Sequence, residues 1–179
     1  MAPSDASKID LRSLIRDIPD FPKPGILFRD VTPLLGNGPA FRACIRQLCE
    51  RLAPYKAQAI AGIESRGFIF GASVAAELGI GFVPIRKPGK LPWKTRKEQY
   101  ALEYGTDAIE VHEDAVAPGT RVALLDDLLA TGGTAGAAIK LLKSLGGQVV
   151  VAEFVIELAF LKGRAGLGGI PAEVLITYA

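Results

Sequence analysis

Apolar runs of four to eight residues recur along this chain, and between them apolar residues return at every third or fourth position. The runs Ala57 to Ile63, Gly81 to Ile85, Val122 to Leu125, Val149 to Ile156 and Glu173 to Tyr178 read as strands, most of them buried. The longer spacing predicts a short helix over Ile9 to Ile18, with Asp10 near its start and Pro19 as its stop. It predicts further helices over Pro39 to Leu52, over Phe68 to Leu78 with Gly79 as terminator, and from Ala135 to Leu145 ahead of Gly146 and Gly147. Pro22 to Leu35, punctuated by proline and glycine, reads as an ordered loop or short extended piece. Gln99 to Leu102 and Ala108 to His112 flank Glu103-Tyr104-Gly105-Thr106-Asp107 as an antiparallel hairpin arm. Strands alternating with helices predict an α/β fold, a mostly parallel central sheet with helices on both faces. Residues 1–179 read as one domain, without internal repeat, low-complexity segment or linker.

Ligands of such sheets bind beyond the carboxyl ends of the strands. Three of these ends are followed by polar residues suited to an anion: Ile63-Glu64, Ile85-Arg86 and Leu125-Asp126. The last is the richest. Asp126 and Asp127 close the strand, Ala130-Thr131-Gly132-Gly133-Thr134 forms a small-residue loop, and a helix follows. Glycines let backbone N–H groups approach an anion, the helix N-terminus adds unpaired donors, and the threonine hydroxyls can add more. No lysine follows the glycines, so this is not a Walker A loop. A phosphate loop beside paired acids suits a sugar phosphate, with the loop on the phosphate and the acids on ribose hydroxyls. The plainer alternative is a glycine-rich turn with two solvated acids.

Glu64-Ser65-Arg66-Gly67 offers helix N–H groups and the forked donor of Arg66; its alternative is a Ser65 helix cap with Arg66 in solvent. Arg86-Lys87-Pro88-Gly89-Lys90 would be a solvated charge run in isolation, but beside the other two loops it suits a polyanionic leaving group. Glu103 and Tyr104 sit on the hairpin arm, where a lid would keep water from a reactive sugar cation and Glu103 could handle a proton. Phe28, with Arg29 after it, could stack on a base; otherwise it is a core phenylalanine.

Composition narrows the classes. Of 179 residues, 49% are hydrophobic and 22% charged, which is ordinary for a globular domain, and a net charge of +2 does not argue for nucleic acid. Cys44 and Cys49 read as reduced thiols in a helix. With one histidine, His112, and no cysteine–histidine cluster, a zinc site is not expected. The first 20 residues mix charges and lack an apolar core, and the longest apolar stretch is interrupted by Glu77, glycines and a proline. Neither a secretory signal nor a membrane span is expected, so the reading is a cytoplasmic protein.

The motifs FPKPGILFRDVTPLL, AGIESRGFIFG, IRKPGKLP, YALEYG, VALLDDLLATGGT and IELAFLKGR occur in this order. Together they resemble the type I phosphoribosyltransferases, and among these the branch acting on adenine. The first and last motifs carry the adenine branch; the Asp-Asp segment alone indicates only the superfamily. The resemblance implies the type I phosphoribosyltransferase fold with a small N-terminal hood (about 1–35) and a flexible hairpin lid (about 93–112). It implies transfer of the 5-phosphoribosyl group of phosphoribosyl pyrophosphate (PRPP) to N9 of adenine through an oxocarbenium-like transition state, releasing AMP and pyrophosphate, in a homodimer. It also implies Mg2+, held mainly by PRPP and water and not by a certain protein ligand set. By matching motif, Asp126 and Asp127 take ribose and Ala130, Thr131, Gly132, Gly133 and Thr134 the phosphate. Ser65, Arg66, Lys87 and Lys90 face pyrophosphate, with Arg66 a candidate for reaching the neighbouring subunit's site. Glu103 and Tyr104 act from the lid; Phe28 stacks on adenine, the backbones of Ile26 and Arg29 read its edge, and Leu158 packs on its other face. The Ser65 loop often holds a strained or cis peptide in this family. The basic Trp93-Lys94-Thr95-Arg96-Lys97 departs from its usual lid entrance. Two other readings remain: a sibling enzyme for a 6-oxo base, and a PRPP-sensing regulator of nucleic acid, for which the chain lacks a DNA-binding module.

Overall fold

Residues 9–101 and 106–179 are described by the computed structural model. The chain divides into two units, residues 1–47 and 48–179.

In the first unit, Asp10 caps a single 3-10 turn, Leu11–Leu14, by accepting from the Arg12 N–H at 3.0 Å. Strand β1 (Arg16–Pro19) then pairs antiparallel with β2 (Leu27–Asp30), setting Arg16 opposite Asp30 and Ile18 opposite Phe28. The helix expected over Ile9 to Ile18 is therefore not formed beyond this turn. An isolated ten-residue helix is marginal, and strand pairing gains two cross-strand ion pairs, Arg16–Asp30 at 2.6 Å and Arg29–Asp17. The connection carries a cis Phe21–Pro22 peptide and a left-handed Gly25, whose N–H donates to Asp20 Oδ1 at 2.7 Å. Pro22 to Leu35, expected as an ordered loop or short extended piece, thus contains the extended β2 and, beyond that expectation, a short helix, α1 (Thr32–Gly36). Helix α2 (Gly38–Leu52) begins where Asn37 Oδ1 accepts from the Ala40 N–H, and it runs past the boundary between the units.

The second unit alternates strand and helix: β3 (Ala59–Ile63), α3 (Arg66–Leu78) and β4 (Gly81–Ile85). An antiparallel hairpin of β5 (Thr95–Ala101) and β6 (Thr106–His112) follows. Then come β7 (Arg121–Leu129), α4 (Gly133–Ser144), β8 (Gln148–Leu158) and β9 (Ala172–Tyr178). The sheet order is β4-β3-β7-β8-β9, all parallel. The pleat separates the faces. Ala59, Ala61 and Ile63 join the core cluster that contains Ala138, Leu142 and the hairpin residues Ile109 and Val111. Ile60 and Gly62 lie under α3, where glycines at 67 and 71 let the helix close on the sheet.

The expected helices and strands of this unit are present, with one consequential difference. Strand β7 does not stop at Leu125 but continues through both aspartates, because Leu128 and Leu129 pair with Ile156 and Glu157 of β8. Among the described residues no helix is long and apolar enough to cross a membrane.

Candidate active site

Because β4, β3 and β7 are neighbours and parallel, their carboxyl ends emerge along one edge. The chain moves from β3 outward to β4, then returns to the other side of β3 as β7. The direction of strand addition therefore reverses between β3 and β7, where a crevice opens in sheets of this kind.

Asp126 and Asp127 stand on the β7 side of that crevice. Gly67, in the first turn of α3, packs against them so closely that a Cβ there would lie 2.7 Å from Asp126 Oδ1. Burial, reinforced by the charge of Asp127, pushes the Asp126 carboxyl well above the usual carboxylate range. Asp127, itself buried, accepts a hydrogen bond from Arg66 Nε across the crevice. Arg66 therefore turns toward its own chain's acid. Ser65 precedes it after a cis Glu64–Ser65 peptide; its side chain makes no helix-capping bond, so the capping alternative is not realised.

Beyond β7, residues Ala130 to Thr134 line a cavity of about 90 Å³ together with Asp126, Leu128, Leu129 and Ala135. Gly132 takes a left-handed conformation (φ 81°) and α4 starts at the next residue with no side-chain cap. The first N–H groups of α4 have no partner within the helix and suit an anion. The loop is backed by the 3-10 segment Gly163–Leu167. A Cβ on Gly132 would collide with the Gly163 carbonyl, one on Gly163 with the Ala130 carbonyl, and one on Gly136 with the Gly166 carbonyl. Arg164 fastens this segment to β8 with a bidentate pair to Glu157 (2.7 and 2.8 Å) and donates to the Ala172 carbonyl at 3.0 Å.

The basic loop after β4 is organised by Glu64. Its carboxylate accepts from Lys90 Nζ at 2.6 Å, from the Lys87 N–H at 3.0 Å and, more weakly, from Arg86 at 3.3 and 3.4 Å. Burial opposes its ionisation, but these donors prevail and hold Glu64 at about 2. The Lys87 side chain points elsewhere, bonding Asp107 on β6 and the Tyr100 hydroxyl at 3.0 Å.

The structure thus brings Ser65, Arg66, Lys87, Lys90, Asp126, Asp127 and the 130–134 loop to one sheet edge, carried by its three neighbouring strand ends. Leu158 is the buried last residue of β8, paired with Tyr178. In the first unit Phe28 packs edge-to-face on Phe21 at 5.2 Å and Arg29 pairs with Asp17. Ile26, just before β2, donates its N–H to the Lys23 carbonyl. Glu103 and Tyr104 lie outside the described residues. The sequence reading did not single out Glu64, Asp107, Gly163 or Gly166. Glu64 was open to discovery, being an acid at one strand end facing a basic loop at the next. The two glycines were not, because their partners lie about thirty residues earlier.

A phosphoribosyl transferase domain model matches residues 35–163. The adenine phosphoribosyltransferase of Rhodospirillum centenum is 55% identical over 170 residues, covering 95% of this chain and 99% of that protein. The crystal structure of the adenine phosphoribosyltransferase of Thermoanaerobacter pseudethanolicus superposes with a TM-score of 0.92 at 52% identity, covering 94% and 98% of the two chains. That of Saccharomyces cerevisiae, complexed with an imino-altritol bisphosphate and adenine, superposes at 0.88 with 41% identity, covering 95% and 97%.

Proposed function

The chain belongs to the phosphoribosyltransferase family and transfers the 5-phosphoribosyl group of PRPP to adenine, giving AMP in purine salvage, and we propose that it does so with the residues gathered at the ends of β3, β4 and β7. The observation that carries the assignment of roles is the juxtaposition of an Asp126–Asp127 pair with an uncapped helix start and an arginine-and-lysine edge. In this reading the backbone of Ala130, Thr131, Gly132 and Gly133 and the Thr131 and Thr134 hydroxyls hold the 5′-phosphate. Asp126 and Asp127 take the ribose hydroxyls, and Ser65, Arg66, Lys87 and Lys90 receive the pyrophosphate.

The chemistry follows from charge. Cations around the departing pyrophosphate stabilise negative charge as the C1–O bond breaks, and the Asp127 carboxylate offsets positive charge growing on the ribose. Loss of pyrophosphate runs ahead of attack by adenine N9. Asp126 and Asp127 supply oxygen donors of the kind a hard cation accepts, so the site fits magnesium, whose remaining ligands would be PRPP oxygens and water. When bound, magnesium neutralises part of the leaving group's charge.

Several roles rest on matching motifs alone. Phe28, the backbones of Ile26 and Arg29, and Leu158 are assigned to adenine, residues 1–35 to a hood, 93–112 to a lid carrying Glu103 and Tyr104, and 1–179 to a single catalytic domain. A cytoplasmic homodimer completes the reading. Exposed Ile69 and Leu78 on α3 and Phe160 and Leu161 after β8 offer apolar surface for a second subunit.

A product assay tests this directly: the protein, PRPP and magnesium with one base at a time, following nucleotide and pyrophosphate. AMP from adenine, with little product from hypoxanthine or guanine, is expected. Turnover of a 6-oxo base would overturn the assignment around Phe28, and tight PRPP binding without turnover would point to a regulator.

A further inference from the structure

We propose that Asp107 is a positioning residue that competes with pyrophosphate for the Lys87 ammonium and so keeps the product from binding too tightly. This rests on the reading of Lys87 as a pyrophosphate ligand.

Lys87 leaves β4 two residues after Ile85, and its backbone is fixed by Glu64. Its side chain crosses to the turn end of the hairpin, where Tyr100 and Asp107 face each other as the next-to-last cross-strand pair. There Nζ bonds Asp107 Oδ2 and the Tyr100 oxygen, and lies 5.6 Å from the Tyr100 ring centre. The Tyr100 hydroxyl donates to the same Asp107 oxygen at 3.1 Å, while Asp107 Oδ1 accepts the Ala108 N–H at 2.7 Å. Asp107 therefore keeps two donors of its own when the ammonium leaves.

The backbone around this contact is held in place. Arg86 and Glu110 exchange backbone hydrogen bonds of 2.9 and 2.7 Å, and the Gly89 N–H donates to Glu110 Oε2 at 3.2 Å. With the loop fastened to β6, the part free to turn is the four-carbon stem of Lys87. An ammonium on such a stem is a mobile point charge. Asp107 and pyrophosphate carry the same sign of charge and draw on that one cation, so an anion gains Lys87 only by taking it from Asp107.

Burial acts against the Lys87 charge, but Asp107 and Tyr100 outweigh it and hold the ammonium above its ordinary range; Lys87 in turn holds Asp107 below its own. Both partners are charged at neutral pH, as a competition between anions requires.

The test is calorimetric titration of the full chain with pyrophosphate and magnesium, comparing wild type, Asp107→Asn, Lys87→Met and the double variant. Removing the carboxylate should tighten pyrophosphate binding about three- to fivefold, the scale of a part-exposed ion pair, and should do so only where Lys87 is present. Asp107→Ala should act in the same direction, and the KM for adenine should not move. Weaker or unchanged binding in Asp107→Asn, or an equal gain in the Lys87→Met background, would overturn the competition while leaving Lys87 in its role. Undiminished binding in Lys87→Met would instead remove the premise.

Discussion

Arg66 and Asp127 hold each other across the crevice between β3 and β7, so a group assigned to pyrophosphate is bonded to a group assigned to ribose. PRPP carries both of its partners in one molecule. Its arrival can replace this internal pair with two external ones, and neither residue then keeps a buried charge unpaired.

Asp127→Asn should therefore weaken PRPP binding and slow turnover together. The loss of a charge-assisted contact predicts a fall in kcat/KM of roughly 10- to 100-fold. Steady-state kinetics with PRPP as the varied substrate provides the check, and a full-rate Asp127→Asn would remove that acid from the mechanism.

Gly163→Ala should damage phosphate binding without replacing a recognition residue. The new methyl would collide with the Ala130 carbonyl, and Leu129 Cδ1 lies 3.0 Å away. Either the loop or the 163–167 segment must shift, at about 1–3 kcal/mol of stability. Urea unfolding and PRPP titration should both register it; an unchanged PRPP Kd would mean that the backing segment does not set the loop's shape.

Glu64→Gln should loosen the basic loop and alter the acid limb of stability. The folded carboxyl lies near 2, below its ordinary value of 4.5. The stabilisation is thus fully present above about pH 4.5 and is lost as pH falls toward 2. Wild type should exceed the variant by on the order of 2 kcal/mol at pH 7, by less than half of that margin at pH 3, with the gap closing only toward pH 2. Urea titrations at pH 7, 5 and 3 would show it.

Glu153 should behave in the opposite sense. It is fully buried in β8, and neither carboxylate oxygen has a hydrogen-bond partner among the described residues. Burial, with Glu173 adding to it and Arg51 opposing, pushes it up to about 9. The folded chain keeps a proton that the unfolded chain releases near 4.5, so stability falls as pH rises from about 4.5 to 9. Glu153→Gln should stabilise the fold, by an amount growing from pH 5 to pH 8.5 and reaching on the order of 2 kcal/mol in urea unfolding. A pH-independent gain would disprove the titration.

The regular elements of the second unit were legible because local pattern and final packing agree there. Gly81–Ile85 is a strand by its apolar run and by its place beside β3. Where pairing partners are remote, local pattern was insufficient. Leu128 and Leu129 resemble the start of a loop until β8 is laid beside them, and Ile18 fits a helical stripe as well as it fits β1. The site followed the same rule. Asp126, Asp127 and the Thr-Gly-Gly-Thr loop announce themselves within one segment. The bonds that orient the basic residues, Glu64 to Lys90 and Asp107 to Lys87, span 26 and 20 positions and depend on strand order.

The meshing of Gly132 with Gly163, and of Gly136 with Gly166, has a consequence for engineering. The phosphate-binding module is discontinuous: its recognition face comes from 130–134 and its mould from 163–166. Grafting Ala130 to Thr134 with the start of α4 into another parallel sheet would carry every contacting group and still yield a misshapen cup. A faithful transplant needs both stretches, together with the Glu157–Arg164 clasp that fixes the distance between them.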